Sequence, residues 1–351
     1  MDRRIFSYLI IIFVMKASLA NVCTVNDKGN CYFTVNCDVP ARINNVPHCD
    51  DTDPFITLVI NESPVHNITA YYFNTKFDDY VMILIAVGNS WDAVQNNAFS
   101  NFKNVLYMDL SGNQIKSLNK PFIGLDKLDC LNLSRNYLDV IEADLVPKNK
   151  NKLSLLDLSY NLLTNIPDDM FVNMHYLREL YLQGNNLVMS GDQLLTNLKN
   201  LNYLNLCCNN LTTLKITLKY LKSLRELDLS FNHLKQIDVS EVVSLETINL
   251  SHNDIEEFMF DGFEQFPNLI ELDLSFNKLK KVYGSNSVES DHRKNKPLIN
   301  IYLNNNNISH VDKTFTNTFN NIRILDLSYN EIAGYKRKRF YFQSYVEGRY
   351  Y

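Results

Sequence analysis

Eleven asparagines recur along this chain at nearly even intervals: Asn89, Asn113, Asn136, Asn161, Asn185, Asn209, Asn232, Asn253, Asn277, Asn306 and Asn330. Successive steps run from 21 to 29 residues, most of them 23 to 25. Each asparagine closes a phrase of the form L1-x2-x3-L4-x5-L6-x7-x8-N9, as in "LRELYLQGN" at 177–185. Self-similarity at such a period leaves few folds open. A unit of this length cannot bury its apolar side alone, so units must stack and share one continuous core. The alternation L4-x5-L6 predicts a short strand with one buried face. Strands of successive units then lie parallel, about 4.8 Å apart. The asparagine falls where the chain turns out of the strand, and its amide is expected to donate to carbonyls of the adjacent unit. Many units carry a later aromatic, namely Phe99, Phe122, Phe171, Phe263 and Phe315, which predicts an apolar spine on the convex side. Leu195, Tyr220 and Val242 are expected to take that place in units without Phe.

The chain has 351 residues, 46% of them hydrophobic, and a formal net charge of −5. A sizeable core is possible, and the acidity gives no support to nucleic-acid binding. At the N-terminus Arg3 and Arg4 precede an apolar run from Ile5 to Met15, followed by Ser18-Leu19-Ala20. This reads as a secretory signal over residues 1–20, cleaved after Ala20. No other stretch approaches a membrane span, so the mature chain is expected to be secreted and extracellular, where disulfides are permitted. Sequons begin at Asn61, Asn67, Asn132, Asn210, Asn249 and Asn307. Of these, Asn61, Asn67, Asn210 and Asn307 are the expected glycosylation sites. Cys23, Cys31, Cys37 and Cys49 crowd into residues 21–52 and predict an N-terminal cap stapled by two disulfides, with all three pairings open. Repeats occupy residues 53–334, counting a degenerate first strand. The basic and aromatic tail, 335–351, either caps the last repeat or leaves it open.

The phrases "LDLSYN" at 156–161 and 325–330 and "LDLSFN" at 227–232 and 272–277 carry a family resemblance. Over about residues 81–334 the chain resembles extracellular leucine-rich repeat proteins. It looks most like secreted leucine-rich immune proteins of insects and the ectodomains of Toll-like receptors. The resemblance implies an α/β-type solenoid: a right-handed horseshoe with short parallel strands on the concave face and irregular or short helical convex segments. It also implies a non-enzymatic binding protein, acting in innate immune recognition. A cell-surface adhesion or developmental ligand-binder and a secreted enzyme inhibitor are the alternatives. Two features of the insect proteins do not occur in this sequence: a C-terminal coiled coil and a cysteine cluster after the last repeat.

Positions x3, x5, x7 and x8 are expected to face the concavity or its edge. The carboxylates there are Asp109, Asp157, Glu179, Glu226, Asp228, Glu271, Asp273 and Asp326, interleaved with Tyr107, Tyr181, Tyr203 and Tyr302. Aromatics in a polar field suit a protein or glycan ligand. Eleven strands would span about 50 Å, large for a metabolite. Asp at x5 with Ser at x7 also serves turn hydrogen bonds in this kind of repeat, an explanation that does not extend to the tyrosines. The polar insertion "SNSVESDHRKNK" at 285–296 is a further candidate contact loop.

Catalytic and metal signatures are lacking in the sequence: no H-E-x-x-H, no G-x-S-x-G and no phosphate-cradling glycine loop. No cofactor is expected. Three cysteines remain. Cys207 and Cys208 stand at x7 and x8 of "LNLCCNNL", and Cys130 stands at x3, so all three are read as outward. Three strand steps, about 14 Å, separate Cys130 from Cys207, too far for one disulfide. An intermolecular bond, giving a disulfide-linked dimer or hetero-partner, and a vicinal Cys207–Cys208 bridge are the alternatives.

Overall fold

The computed structural model describes residues 24–28, 32–37, 55–69, 72–73, 78–146, 152–188, 194–214, 218–260, 263, 266–284, 297, 299–318, 321–332 and 339–341. The signal segment, Cys23, Cys31, Cys49, the side chain of Cys37 and the insertion at 285–296 lie outside the described residues.

One strand per unit builds a single fifteen-stranded sheet. Its N-terminal edge is a hairpin of β1 (Thr24–Asp27) and β2 (Tyr32–Cys37), paired antiparallel. The parallel run continues through β3 (Phe55–Ile60), β5 (Val81–Ile85), β7 (Tyr107–Asp109), β9 (Cys130–Asn132), β10 (Leu155–Asp157), β11 (Glu179–Tyr181) and β12 (Tyr203–Asn205). It ends with β13 (Glu226–Asp228), β14 (Thr247–Asn249), β15 (Glu271–Asp273), β17 (Ile299–Tyr302) and β19 (Ile322–Asp326). Along most of this run x3, L4 and x5 of one unit stand opposite the same positions of the next. Beyond the turn, two small parallel sheets follow the same stacking: β4 (Asn67–Ile68), β6 (Ala93–Val94) and β8 (Ser117–Leu118), then β16 (Lys281–Val282) and β18 (His310–Val311). A six-residue helix, α1 (Lys313–Thr318), and two 3₁₀ turns, Asp78–Tyr80 and Leu218–Tyr220, join otherwise irregular convex segments. This is the expected solenoid. Its C-terminal edge is closed from the tail, where β20 (Arg339–Tyr341) pairs antiparallel with β19.

The recurring asparagine holds the units together, as its chemistry foretold. All eleven are buried. In one unit Asn232 Nδ2 donates to the carbonyl of Leu206 in the preceding unit (2.9 Å) and to those of Leu229 (3.1 Å) and Ser230 (3.2 Å) in its own. Its Oδ1 accepts the Leu211 amide of the preceding unit, 3.0 Å away. One side chain thereby satisfies backbone groups that a turn buried in the core would otherwise orphan. The acceptor half of this bond repeats from Ser63 N–H to Asn89 at one end to Ile308 N–H to Asn330 at the other. It fails at Asn113, whose Oδ1 meets no donor among the described residues; Trp91 stands there in place of the usual Leu.

Aromatic packing fills the convex side. Phe99 and Phe122 stack at 5.7 Å, and Phe73 joins Phe99 at 5.3 Å. Phe171, Phe263 and Phe315 are buried as expected, with Phe260 against Phe315 at 5.2 Å. Tyr220 is a correction: it is exposed, and Leu218 is buried in its stead. Leu218 lies six residues before the L1 residue Leu224, the spacing that Phe171 keeps from Leu177, so a two-residue shift points the Tyr220 ring outward. Val242 is buried, but the residue at the Phe spacing is Val239, six before Leu245.

Replacing Asn232 by Ala should lower stability by about 2–3 kcal/mol, because the buried carbonyls and the Leu211 amide lose their partner. Asn113→Ala should cost about 1 kcal/mol less, since no acceptor bond is lost. Urea unfolding of both variants checks the order through their midpoints.

Candidate functional site: the concave face and its edge

Positions x3 and x5 of ten strands, β7 to β19, supply twenty side chains to the concave surface. Eight are carboxylates (Asp109, Asp157, Glu179, Glu226, Asp228, Glu271, Asp273 and Asp326) and none is Lys, Arg or His. The x5 row is partly committed to the turn. Oδ1 of Asp109, Asp157, Asp228 and Asp273 accepts the x7 backbone amide two residues on, at 2.8–2.9 Å, and that of Asn132, Asn205 and Asn249 does so at 2.9–3.1 Å. Each aspartate retains a second oxygen. That of Asp109 accepts the Tyr107 hydroxyl at 3.2 Å.

Tyr107, Tyr181 and Tyr203 are each hydrogen-bonded to a neighbour two residues away on the same face. Tyr181 donates to Glu179 Oε2 at 3.0 Å, and Asn205 Nδ2 donates to the Tyr203 hydroxyl at 3.1 Å. The Tyr181 and Tyr203 rings meet at 4.9 Å, tilted by 35°, in the middle of the sheet. Burial, then the adjacent carboxylate, pushes the Tyr107 and Tyr181 phenols far above their usual range, and burial raises Tyr203 too. These hydroxyls remain protonated donors at any physiological pH. Burial also lifts the Asp157 carboxyl above its ordinary value, against the pull of the Ser159 hydrogen bonds.

Two expected surface residues are not at the surface. Cys130 does stand at x3, but it is 96% buried, in register between Tyr107 and Leu155 and hydrogen-bonded to Ser154. Burial pushes its thiol up to about 12, so it stays protonated and out of reach of another chain. Asp326 is buried as well; the closing strand β20 pairs beside it, with Asp326 in register with Arg339. The other carboxylates and Tyr302 are half-buried, or exposed at Glu226.

An edge row at x8 was not singled out among the candidate ligand contacts. Arg135, Tyr160, Cys208, Phe231, His252, Phe276, Asn305 and Tyr329 all adopt left-handed backbone, φ 53–57°, and Gly184 takes φ 67° in the same row. From Arg135 to Asn305 each x8 amide donates to the x7 carbonyl of the next unit, Phe231 to Ser251 at 3.0 Å for instance, so the turn needs this conformation whatever the side chain. Left-handed backbone costs an ordinary residue about 1 kcal/mol or more, and Gly or Asn would relieve it. Here Tyr160, Phe231, His252, Phe276 and Tyr329 stand at five of these positions instead. Phe231, His252 and Phe276 stack successively at 4.1 Å with 10° between planes. The Arg135 guanidinium lies 4.6 Å over the Tyr160 ring, and Gly184 lets that ring close in: a Cβ on Gly184 would stand 2.6 Å from it. Phe231 and Tyr329 are more than half exposed. The signal was present in the sequence, as the aromatic before the asparagine in "SYN" and "SFN".

A repeating strand-turn unit, an asparagine ladder and one continuous parallel sheet define a solenoid of the leucine-rich kind. The leucine rich repeat family profile matches residues 80–138, 131–187 and 177–234, and a second profile of that kind matches 244–266. The chain belongs to the leucine-rich repeat superfamily. Lumican of Gallus gallus is 37% identical over 160 residues, a match covering 44% of this chain and 45% of lumican. The matched region thus spans less than half of that relative. Among solved structures, the TLR13–ssRNA13 complex superposes with a TM-score of 0.58 at 21% identity, covering 78% of this chain and 43% of that one. The LRIM1/APL1C complex gives 0.54 at 20% identity, covering 85% and 53%. These two likenesses are of fold. Among the described residues no helix is long and apolar enough to cross a membrane.

Two outcomes follow from this geometry. Asp157→Asn keeps an oxygen for the Ser159 amide and removes the buried charge. A carboxyl whose folded pKa is raised favours the fold while protonated and loses that contribution as pH rises through the raised value. Asp157→Asn is therefore expected to unfold at higher urea than the parent at pH 7, with the gain vanishing below the ordinary carboxylate pKa of about 4. Glycans are expected on the exposed Asn210 and Asn307, and absent from Asn132 and Asn249, whose amides are tied into concave turns. Site-resolved mass spectrometry after enzymatic deglycosylation in heavy-oxygen water reads both pairs.

Proposed function

We propose that this protein is a secreted recognition molecule that binds a basic protein or peptide on its concave face, in the service of innate immunity. The observation that carries this reading is the charge of that face. Seven accessible carboxylates and no cation occupy x3 and x5, Asp326 being buried, and the Tyr181–Tyr203 pair sits at their centre. Aromatic faces amid carboxylates attract Lys and Arg side chains through both ring quadrupole and charge. Rigid, prepositioned tyrosines lose little conformational entropy on binding, so they are good anchors. The N-terminal signal pattern and the sequons support an extracellular site of action. Similarity to lumican supports a binding role rather than catalysis. The host-defence role rests on the resemblance to insect immune leucine-rich proteins.

Immobilised mature chain and its Tyr181→Ala/Tyr203→Ala variant, each shown to be folded by circular dichroism, provide the test in cell-free body fluid. The parent is expected to retain one or more basic proteins, released as salt rises because surface charge is screened beyond about 8 Å at physiological ionic strength. The double variant should bind the purified partner roughly tenfold or more weakly. Equal capture by both, or partners that are acidic and insensitive to salt, would overturn the assignment of the site. A rise in transcript after bacterial challenge is expected of the host-defence role, and an unchanged level would remove that role while leaving the binding intact.

A further inference from the structure

Cys207 and Cys208 follow β12 directly, and Cys207 N–H donates to Asn205 Oδ1 at 3.0 Å. In an extended strand, adjacent side chains point to opposite faces. Here they do not, because Cys208 is left-handed, with φ 57°. That turn swings its side chain back beside Cys207, and the two sulfurs stand 3.0 Å apart. The backbone around them is pinned across units: Cys208 N–H donates to Ser230 O at 2.9 Å, and the Cys207 carbonyl accepts from Gly184 N–H and from Asn209 Nδ2, each at 3.1 Å. Cys208 is exposed and Cys207 half-buried. The third free cysteine of the described residues, Cys130, is buried three strands away.

We propose that Cys207 and Cys208 form a redox-active vicinal dithiol, which closes reversibly into an intrachain disulfide by exchange with a small-molecule disulfide such as oxidised glutathione. Exposure makes Cys208 the attacking sulfur. Its thiolate displaces one glutathione as a thiolate and forms a mixed disulfide. Cys207 then gives its proton to a departing thiolate and attacks the Cys208 sulfur, and the second glutathione leaves. One S–S bond and two S–H bonds are exchanged for one S–S bond and two S–H bonds. Two electrons pass from the protein to the glutathione disulfide. Burial, then the Cys208 sulfur and Asp228, raise the Cys207 thiol well above its ordinary value, so it holds its proton until the mixed disulfide is in place. A resolving thiol already in contact has an effective concentration that no thiol on another chain can match, so ring closure should outrun chain linkage. Reduced, the pair offers two sulfurs to one thiophilic atom. Phenylarsine oxide should therefore bridge them with loss of one water.

The test uses the full mature chain, first reduced and then equilibrated in glutathione buffers of stepped redox ratio. Thiols are quenched with N-ethylmaleimide and the Cys207–Cys208 peptide is weighed. That peptide should pass from a doubly alkylated form to an unalkylated form lighter by two hydrogens than the dithiol, and return on reduction. Phenylarsine oxide should block both alkylations at one arsenic per chain. Cys207→Ser, which installs the residue most other units carry at x7, should stop at a Cys208–glutathione adduct, and Cys208→Ser should not react. The proposal is overturned by glutathione adducts that persist in the parent, by two thiols that stay alkylatable at every ratio, or by a disulfide-linked dimer that Cys208→Ser abolishes.

Discussion

From Asn113 to Asn330 each buried asparagine amide is bonded to the backbone of two successive units, and the rest of the molecule hangs on that bond. A strand of three residues has too few ladder hydrogen bonds to hold its own register. The asparagine adds a fixed spacer, donating to the L6 carbonyl behind and accepting the amide behind, so register is inherited from unit to unit. Leucines at L4 and L6 then meet their counterparts without slippage, and a continuous core forms from pieces that could not fold alone. The 29-residue step from Asn277 to Asn306 illustrates the tolerance of this scheme: Asn306 still donates to Leu274 O at 2.9 Å and accepts from Leu279 at 3.0 Å.

That division of labour decides what the surface can do. L4, L6 and N9 are spent on the frame, and the x5 aspartates lend one oxygen to the turn. What remains for a ligand is the second carboxylate oxygens, the tyrosine rings and the x8 row. The turn requires left-handed backbone at x8 whatever residue stands there, and aromatics occupy much of the row despite the strain. Stacking between successive rings returns part of that cost, as Phe231, His252 and Phe276 do. The result is an acidic, tyrosine-bearing floor with an aromatic rim on one side.

Most of this architecture was legible in the sequence because it follows from local rules. A buried polar residue at a fixed period must find the same partners in every unit, so the asparagine ladder could be deduced from chemistry alone. The strands and most of the Phe spine follow from periodicity. What escaped depends on neighbours across the stack. Cys130 reads as outward from its place in the phrase, yet it is buried, in register between Tyr107 and Leu155 of the same x3 row. Asp326 reads as concave and exposed, but it is buried, on a strand that pairs with one from the tail. The proximity of the Cys207 and Cys208 sulfurs depends on a positive φ, which spacing does not reveal.

Hydrogen exchange resolved to single amides tests the ladder most directly. The amides of Ile115, Leu138, Leu163, Leu187, Leu211, Leu234, Ile255, Leu279 and Ile308 all donate to an asparagine Oδ1 of the following unit. None of them lies in a strand of the large sheet. If the asparagines carry the frame, these nine should be as protected as the L4 amides of the strands and should open only when neighbouring units unfold together. Exchange at the rate of exposed turns, with the strands still protected, would show that the strands hold register without the ladder and would contradict the account.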